Sequence, residues 1–191
     1  GGGIKDGKKF KSVQTGGPSG GCLTEKHLDV AIDFDSLMEQ GSMMGSGGMI
    51  VMDEDDCMVA VSKFYLEFTV EESCGKCTPC RIGNQRLLEI LEKITKGNGT
   101  EDDLRKLKEL SNVIKDTSLC GLGQTAPNPI LSTLNNFWDE YEAHVKDHKC
   151  PSGQCTALLK YVINDKCIGC TACARVCPVT CIEGKVKEKH V

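Results

Sequence analysis

A chain of 191 residues with thirteen cysteines, six of them in two tight C-x-x-C-x-x-C runs, is constrained first by whatever those thiols hold. Cys74, Cys77 and Cys80 form one run, with Cys120 downstream; Cys167, Cys170 and Cys173 form the other, followed by Cys177 and Pro178. A loop of this spacing turns tightly enough to offer three thiolates to three iron corners of a cubane cluster, and a fourth ligand must then come from elsewhere. Cys120 can supply it for the first run. Electron transfer is the chemistry such a pattern points to, and a cluster so placed would also knit together the segments that ligate it.

The second run matches the bacterial ferredoxin pattern C-x-x-C-x-x-C-x-x-x-C-P, whose last Cys serves a different cluster. Cys167, Cys170 and Cys173 are therefore expected to hold a [4Fe-4S] cluster completed beyond Val191, with Cys177 pointing to a second one. Zinc is the alternative, but its Cys sites are built from separated ligand pairs, in which a third Cys at the same spacing has no task. Disulfides fit worse, because the cysteine count is odd and dense C-x-x-C spacing outside a secreted mini-protein reads as metal or redox chemistry.

With 39% apolar residues the chain can bury one modest core or two small ones, which suggests a soluble protein of several modules. No apolar run approaches the length needed to cross a bilayer. A net charge of -4 with scattered lysines gives no sign of nucleic-acid binding. The start at Gly1-Gly2-Gly3 and the stop just after one ferredoxin run lead us to expect a segment of a longer polypeptide.

Residues 1–56 are glycine-rich, with strand-like pieces at 9–14 and 49–52 around the turn at 16–21, and read as a small β-rich module. Helical periodicity then marks a bundle over residues 57–145. Met58, Val61, Phe64, Tyr65 and Phe68 define its first stripe, and Leu87, Leu88, Leu91 and Ile94 the second. Thr100 and Asp103 resemble a capping box ahead of Leu104, Leu107, Leu110 and Ile114, while one last helix carries Ile130, Leu134, Phe137, Trp138, Tyr141 and Val145. Thr78-Pro79 reads as an N-cap and first helical residue, placing Cys80 at the positive end of a helix whose free amides can reach cluster sulfurs. Gly75 and Gly83 permit close backbone approach there, and Lys76 and Arg81 add positive charge or form a solvated rim. Asn128-Pro129 should open the last helix in the same way. Residues 146–163 read as a linker, and 164–191 as a truncated ferredoxin-like domain, with a first strand at 161–163.

Five cysteines remain. Cys150 and Cys155, with His144 or His148 just upstream, have the ligand types and separation of a zinc site, and Cys57 at the start of the first helix is the candidate fourth ligand. A Zn²⁺ held by Cys57, His144, Cys150 and Cys155 would anchor the loop while leaving the ferredoxin-like part free to swing. His148 is the alternate nitrogen ligand, disfavoured by its closeness to Cys150. The competing reading makes Cys57 a small buried hydrophobe and His144 a surface residue. Cys22, in a loop, and Cys181 are expected to be inert.

The stretch Glu72-Ser73-Cys74-Gly75-Lys76-Cys77-Thr78-Pro79-Cys80-Arg81-Ile82-Gly83, with Cys120-Gly121-Leu122-Gly123-Gln124 and residues 127–131, resembles the flavin-carrying, NADH-oxidising subunit of respiratory complex I. Its soluble relatives in NAD(P)-linked, electron-bifurcating iron-only hydrogenases, which carry an added C-terminal ferredoxin domain, are the closer match. The resemblance implies an α+β fold: a partial β-grasp module, a four-helix iron-sulfur bundle with a [4Fe-4S] cluster on Cys74, Cys77, Cys80 and Cys120, and a partial ferredoxin-like 4Fe-4S domain. It implies an electron relay between FMN, reduced by NAD(P)H in an N-terminal domain, and the clusters of a multi-subunit hydrogenase. The implied partners are an iron-sulfur-rich catalytic subunit and a small thioredoxin-like [2Fe-2S] subunit, in a cytoplasmic hetero-oligomer. FMN and NAD(P) would sit outside this sequence, which has no G-x-G-x-x-G; at residues 2–8 a P-loop-like spacing is followed by Lys9 where Ser or Thr is required. No catalytic residue is expected here. The alternatives are a component of another NADH:acceptor complex, of complex I or formate dehydrogenase type, and a zinc-stapled, non-redox interaction scaffold.

Overall fold

The computed structural model describes residues 2–190. It divides into two compact units, Gly1–Leu159 and Lys160–Val191.

The first unit opens with a three-stranded antiparallel sheet in the order β2-β1-β3, formed by β1 (Phe10–Thr15), β2 (Cys22–Thr24) and β3 (Met49–Asp53). Sequence reading places β1 and β3 to within a residue or two but puts Cys22 in a loop; it lies in β2, a strand too short for alternation to announce. The β1–β2 connection depends on Gly20, where an added Cβ would fall 1.7 Å from the Thr15 carbonyl oxygen. Val13, Leu23 and Leu37 form a small core, Leu37 coming from helix α1 (Phe34–Glu39), whose N-terminus is capped by Asp33 accepting the Ser36 N–H at 2.7 Å. On another face Cys22 and Met52 meet Met58 and so join the sheet to the helices.

Those helices are α2 (Met58–Glu71), α3 (Asn84–Thr95), α4 (Glu101–Thr117), the short α5 (Gly121–Thr125), α6 (Asn128–Asn136) and α7 (Trp138–Lys146). The capping box of α4 forms as expected: Thr100 Oγ1 accepts the Asp103 N–H and the Asp103 carboxylate accepts the Thr100 N–H at 2.8 Å. Leu87, Leu91 and Ile94 of α3 and Leu104, Leu107 and Ile114 of α4 bury at helical spacing into one core.

Three expectations for α2, α6 and α7 are corrected. The last helix is two, broken at Phe137 (φ -136°, ψ 40°), with Trp138 on the far side 42% exposed. Asn128 is the first residue of α6 rather than its cap, and its side-chain amide donates instead to the Ser19 carbonyl at 2.8 Å. On α2, Phe64 and Phe68 are 62% and 47% exposed, while Ser62 and Thr69 are buried beside Tyr65 and Leu66. Apolar residues occur around most of α2, so periodicity cannot choose its inner face. A hydrogen-bonded group, Ser62 Oγ with Thr133 Oγ1 (2.6 Å) and Tyr141 Oη (3.1 Å), accommodates hydroxyls there instead of rings.

The expected linker 146–163 divides. Cys150, Cys155 and Leu158 are buried in the helical core, so the boundary falls after Leu159. In the second unit α8 (Ala172–Val176) carries Cys173, the last cysteine of the second run, and residues 161–163 form no strand. No described helix is long and apolar enough to cross a membrane.

Candidate iron-sulfur and metal centres

The first run lies between α2 and α3. Gly75 turns the chain at φ 74°, and Arg81 Nη1 donates to the Gly75 carbonyl at 2.6 Å, so this arginine clamps the loop. Thr78 makes no capping hydrogen bond. Pro79–Gly83 instead forms a single wide π-helical turn leading into α3, and Cys80 sits inside that turn rather than in an ordinary first turn. Cys80 is buried, Cys77 half-buried, and Cys74 and Cys120 exposed.

Two observations bring the Cys120 segment to this loop. Backbone N–H groups of Leu119 first, then of Cys80, hold the Cys77 thiol below its ordinary range. A Cβ on Gly123 would lie 3.1 Å from Cys80 Cβ and 2.5 Å from Ser118 Oγ. Cys80 Sγ itself lies 3.3 Å from Ser73 Oγ and 3.4 Å from Asn84 Nδ2. The soft thiolate donors, the amides aimed at sulfur and a buried Ser118 hydroxyl with no partner suit an iron-sulfur group.

In the second unit Cys167 and Cys177 are half-buried, and Cys170, Cys173 and Cys181 are exposed. Backbone N–H groups of His190 and then Gly169, helped by the His190 ring 3.7 Å away, bring the Cys167 thiol down to about 7. Cys177 and Cys181 stand 3.6 Å apart, Sγ to Sγ.

A third constellation is buried in the first unit. One ligand atom from each of Cys57, His144, Cys150 and Cys155 lies within 4.8 Å of the others. Cys57 is the residue at the N-terminus of α2, His144 lies in the last turn of α7, and the loop before Leu158 folds back to bring in the other two. His144 Nε2 stands 3.4 Å from both Cys57 Sγ and Cys155 Sγ, which are 3.8 Å apart. Its Nδ1 faces the Glu140 carbonyl at 2.7 Å, which keeps a proton on Nδ1 and turns Nε2 toward the thiols. His148 is exposed, with φ 48°, outside the group.

The thiols share charge unevenly. The Cys155 hydrogen bond, with His144 adding to it against the cost of burial, brings Cys57 down to about 4. Burial alone would lower His144, yet pairing with Cys57 outweighs it and raises the imidazole to about 9. Cys155 is pushed up, first by its bond to Cys57 and then by burial. Three thiols and an imidazole with its other nitrogen satisfied have the composition of a closed tetrahedral zinc site.

Sequence reasoning missed the surroundings of these centres. Gln154 Oε1 accepts the Cys57 N–H at 3.1 Å, and its amide reaches Asp56 Oδ1 at 3.2 Å, with no local signal to mark it. Asn84 could have been found, being one helical turn beyond Cys80.

Residues 60–144 match the NADH-ubiquinone oxidoreductase-F iron-sulfur binding region, and residues 160–183 match the 4Fe-4S binding domain. The chain is 67% identical, over its entire length, to NADP-reducing hydrogenase subunit HndC of Solidesulfovibrio fructosivorans. It is 41% identical over 150 residues, 78% of the chain, to the F-subunit of the Mycobacterium tuberculosis NADH-quinone oxidoreductase. The iron-sulfur binding region of this chain is of the complex I F-subunit type. The chain spans 39% of the first of these relatives and 34% of the second. A crystal structure of an NAD+-reducing [NiFe]-hydrogenase shares the fold at a TM-score of 0.66 and 31% identity, over 74% of this chain and 24% of that one. The F-subunit match contains Cys74, Cys77, Cys80 and Cys120, and the 4Fe-4S match contains the second run. Cys57, Cys150 and Cys155 fall outside both.

Proposed function

We propose that this chain is an electron-relay segment of an NAD(P)H-linked oxidoreductase, part of a multi-subunit hydrogenase. The observation that carries the reading is the convergence of the Leu119-Cys120 segment on the Cys74–Cys80 loop, in a chain whose second unit repeats the three-thiol run. Clusters bound there would supply one-electron carriage. The chain's own part is to hold them: Cys74, Cys77, Cys80 and Cys120 as ligands in the first unit, and Cys167, Cys170, Cys173 and Cys177 in the second. Backbone N–H groups around Cys77 and Cys167 favour the thiolate form that a metal requires.

In this reading the flavin and nicotinamide bind a part of the protein beyond this sequence. The partners are an iron-sulfur-rich catalytic subunit and a small [2Fe-2S] subunit in a cytoplasmic assembly. The names of the hydrogenase relatives favour this assembly over a complex I type. The buried Cys57, His144, Cys150 and Cys155 would take a redox-silent Zn²⁺ that ties the loop at Cys150 to the start of α2 and the end of α7. That use of zinc is structural and leaves both three-thiol runs to iron.

The test is anaerobic purification of the full-length protein, with iron, sulfide and zinc determined per chain and EPR recorded after NADH or NADPH is added. Iron with matching sulfide and a reduced-state signal is expected. Zinc in both three-thiol runs with no sulfide would replace this reading with a metal-stapled scaffold.

A further inference from the structure

The inner stripe of α3 runs Asn84, Leu87, Leu91, Ile94, and the one polar member is fully buried. An apolar residue would be the ordinary occupant of that position. Asn84 directs its amide nitrogen at Cys80 Sγ, 3.4 Å away, and leaves Oδ1 with no partner. The opposite amide orientation would set a carbonyl oxygen against a thiolate, so Cys80 decides which way the group faces. Ser73 brings a hydroxyl to within 3.3 Å of the same sulfur from the start of the preceding loop, just beyond α2. Ser118, 5% exposed, carries a buried hydroxyl with no partner and faces the Cys80 side of Gly123, where a Cβ would touch both. Two of the side chains left with an unpaired buried atom thus stand around one cysteine.

We propose that Asn84, Ser73 and Ser118 are positioning residues that donate hydrogen bonds to sulfur at the Cys80 corner and thereby raise the reduction potential of the group bound there. The inference rests on the iron-sulfur reading of Cys74, Cys77, Cys80 and Cys120. Its physical basis is that a donor to a ligand sulfur stabilises the more negative, reduced state. A buried donor does so more strongly than an exposed one, because water no longer competes for the sulfur or screens its charge. The side chains act without ligating or reacting, and the effect is on where the electron rests.

The experiment uses the full-length protein and the EPR signal that Cys77→Ser removes, followed through a redox titration. Asn84→Leu, which suits the apolar stripe, and Ser73→Ala should each keep wild-type iron and sulfide while moving the midpoint to lower potential. A shift of about tenfold in the one-electron equilibrium, ~59 mV, is expected for each. Ser118→Ala should lower it in the same direction, and Ser73→Thr, which retains the hydroxyl, should restore it. Unchanged midpoints in Asn84→Leu and Ser73→Ala with full iron content would overturn the proposal and leave the cluster reading intact. If Asn84→Leu loses the cluster, Ser73→Ala and Ser118→Ala decide, and unchanged midpoints in both overturn it. Wild-type protein with no iron at this site would overturn the underlying reading instead, and the proposal with it.

Discussion

Removing the carboxylate of Glu140 should cost about 3 kcal/mol, the lower end of the range for breaking a buried ion pair from one side. Glu140 Oε1 meets Lys11 Nζ at 2.5 Å, with side chains 8% and 14% exposed, so the pair bridges β1 and α7 with little water. Glu140 Oε2 also accepts the Met58 N–H at 3.1 Å, one residue from Cys57. In Glu140→Ala that amide loses its partner and the ammonium keeps only the Asp56 carbonyl, which places the cost near 3 kcal/mol rather than 5. Glu140→Gln keeps an acceptor for Met58 and should cost about 2 kcal/mol. Lys11→Met with Glu140→Leu removes both charges together and should recover most of the loss. Urea unfolding followed by helical circular dichroism reads these differences: at an m-value of about 3 kcal/mol/M, 3 kcal/mol moves the midpoint by ~1 M. Metal content should not change, because His144 is oriented by the backbone carbonyl of residue 140, which survives every substitution. A Glu140→Ala midpoint shifted by less than a third of that amount, or a double variant no more stable than the single, would refute the reasoning.

Cys77→Ser should strip the first cluster and lower iron per chain, and retention of full iron with an unchanged reduced EPR spectrum would show the ligand set to be different. His144→Ala should abolish bound zinc while His148→Ala leaves it, since only His144 is buried beside the thiols; metal analysis without chelators in the preparation distinguishes the two. Gly123→Ala places a methyl group 2.5 Å from Ser118 Oγ and should destabilise the bundle by roughly 1–3 kcal/mol, with Ser118→Gly relieving part of it, as thermal unfolding would show. Asp103 is held below the usual carboxylate range, burial opposing but Lys93 and Thr100 prevailing. Its stabilisation of α4 is complete above the unfolded pKa of about 3.9 and is lost as pH falls through the lower folded value. Asp103→Asn should therefore flatten the acid limb of a circular-dichroism titration between about pH 5 and 2.

Much of this protein was legible where a few consecutive residues determine the outcome. The spacing of Cys74, Cys77 and Cys80 is a property of one short loop, and the Thr100–Asp103 capping box closes within a single turn, so chain stiffness and local hydrogen bonding suffice to specify both. The stripes of α3 and α4 were equally plain, because each helix has one apolar face. Packing decided the rest. Cys57 and Cys155 are named by ligand type alone, yet what brings their sulfurs to 3.8 Å across 98 positions is the way α2, α7 and the returning loop share one core. The same packing selects His144 over His148, turns Phe64 and Phe68 outward on a helix that is apolar around most of its circumference, and breaks the last helix at Phe137. It also brings Ser118 to the Cys80 side of Gly123, whereas Asn84, one helical turn beyond Cys80, meets the same sulfur locally. A short-range motif needs only the geometry of its own backbone, whereas a contact between distant segments exists only once the entropy cost of bringing helices together has been met, and the faces they bury are settled at that step.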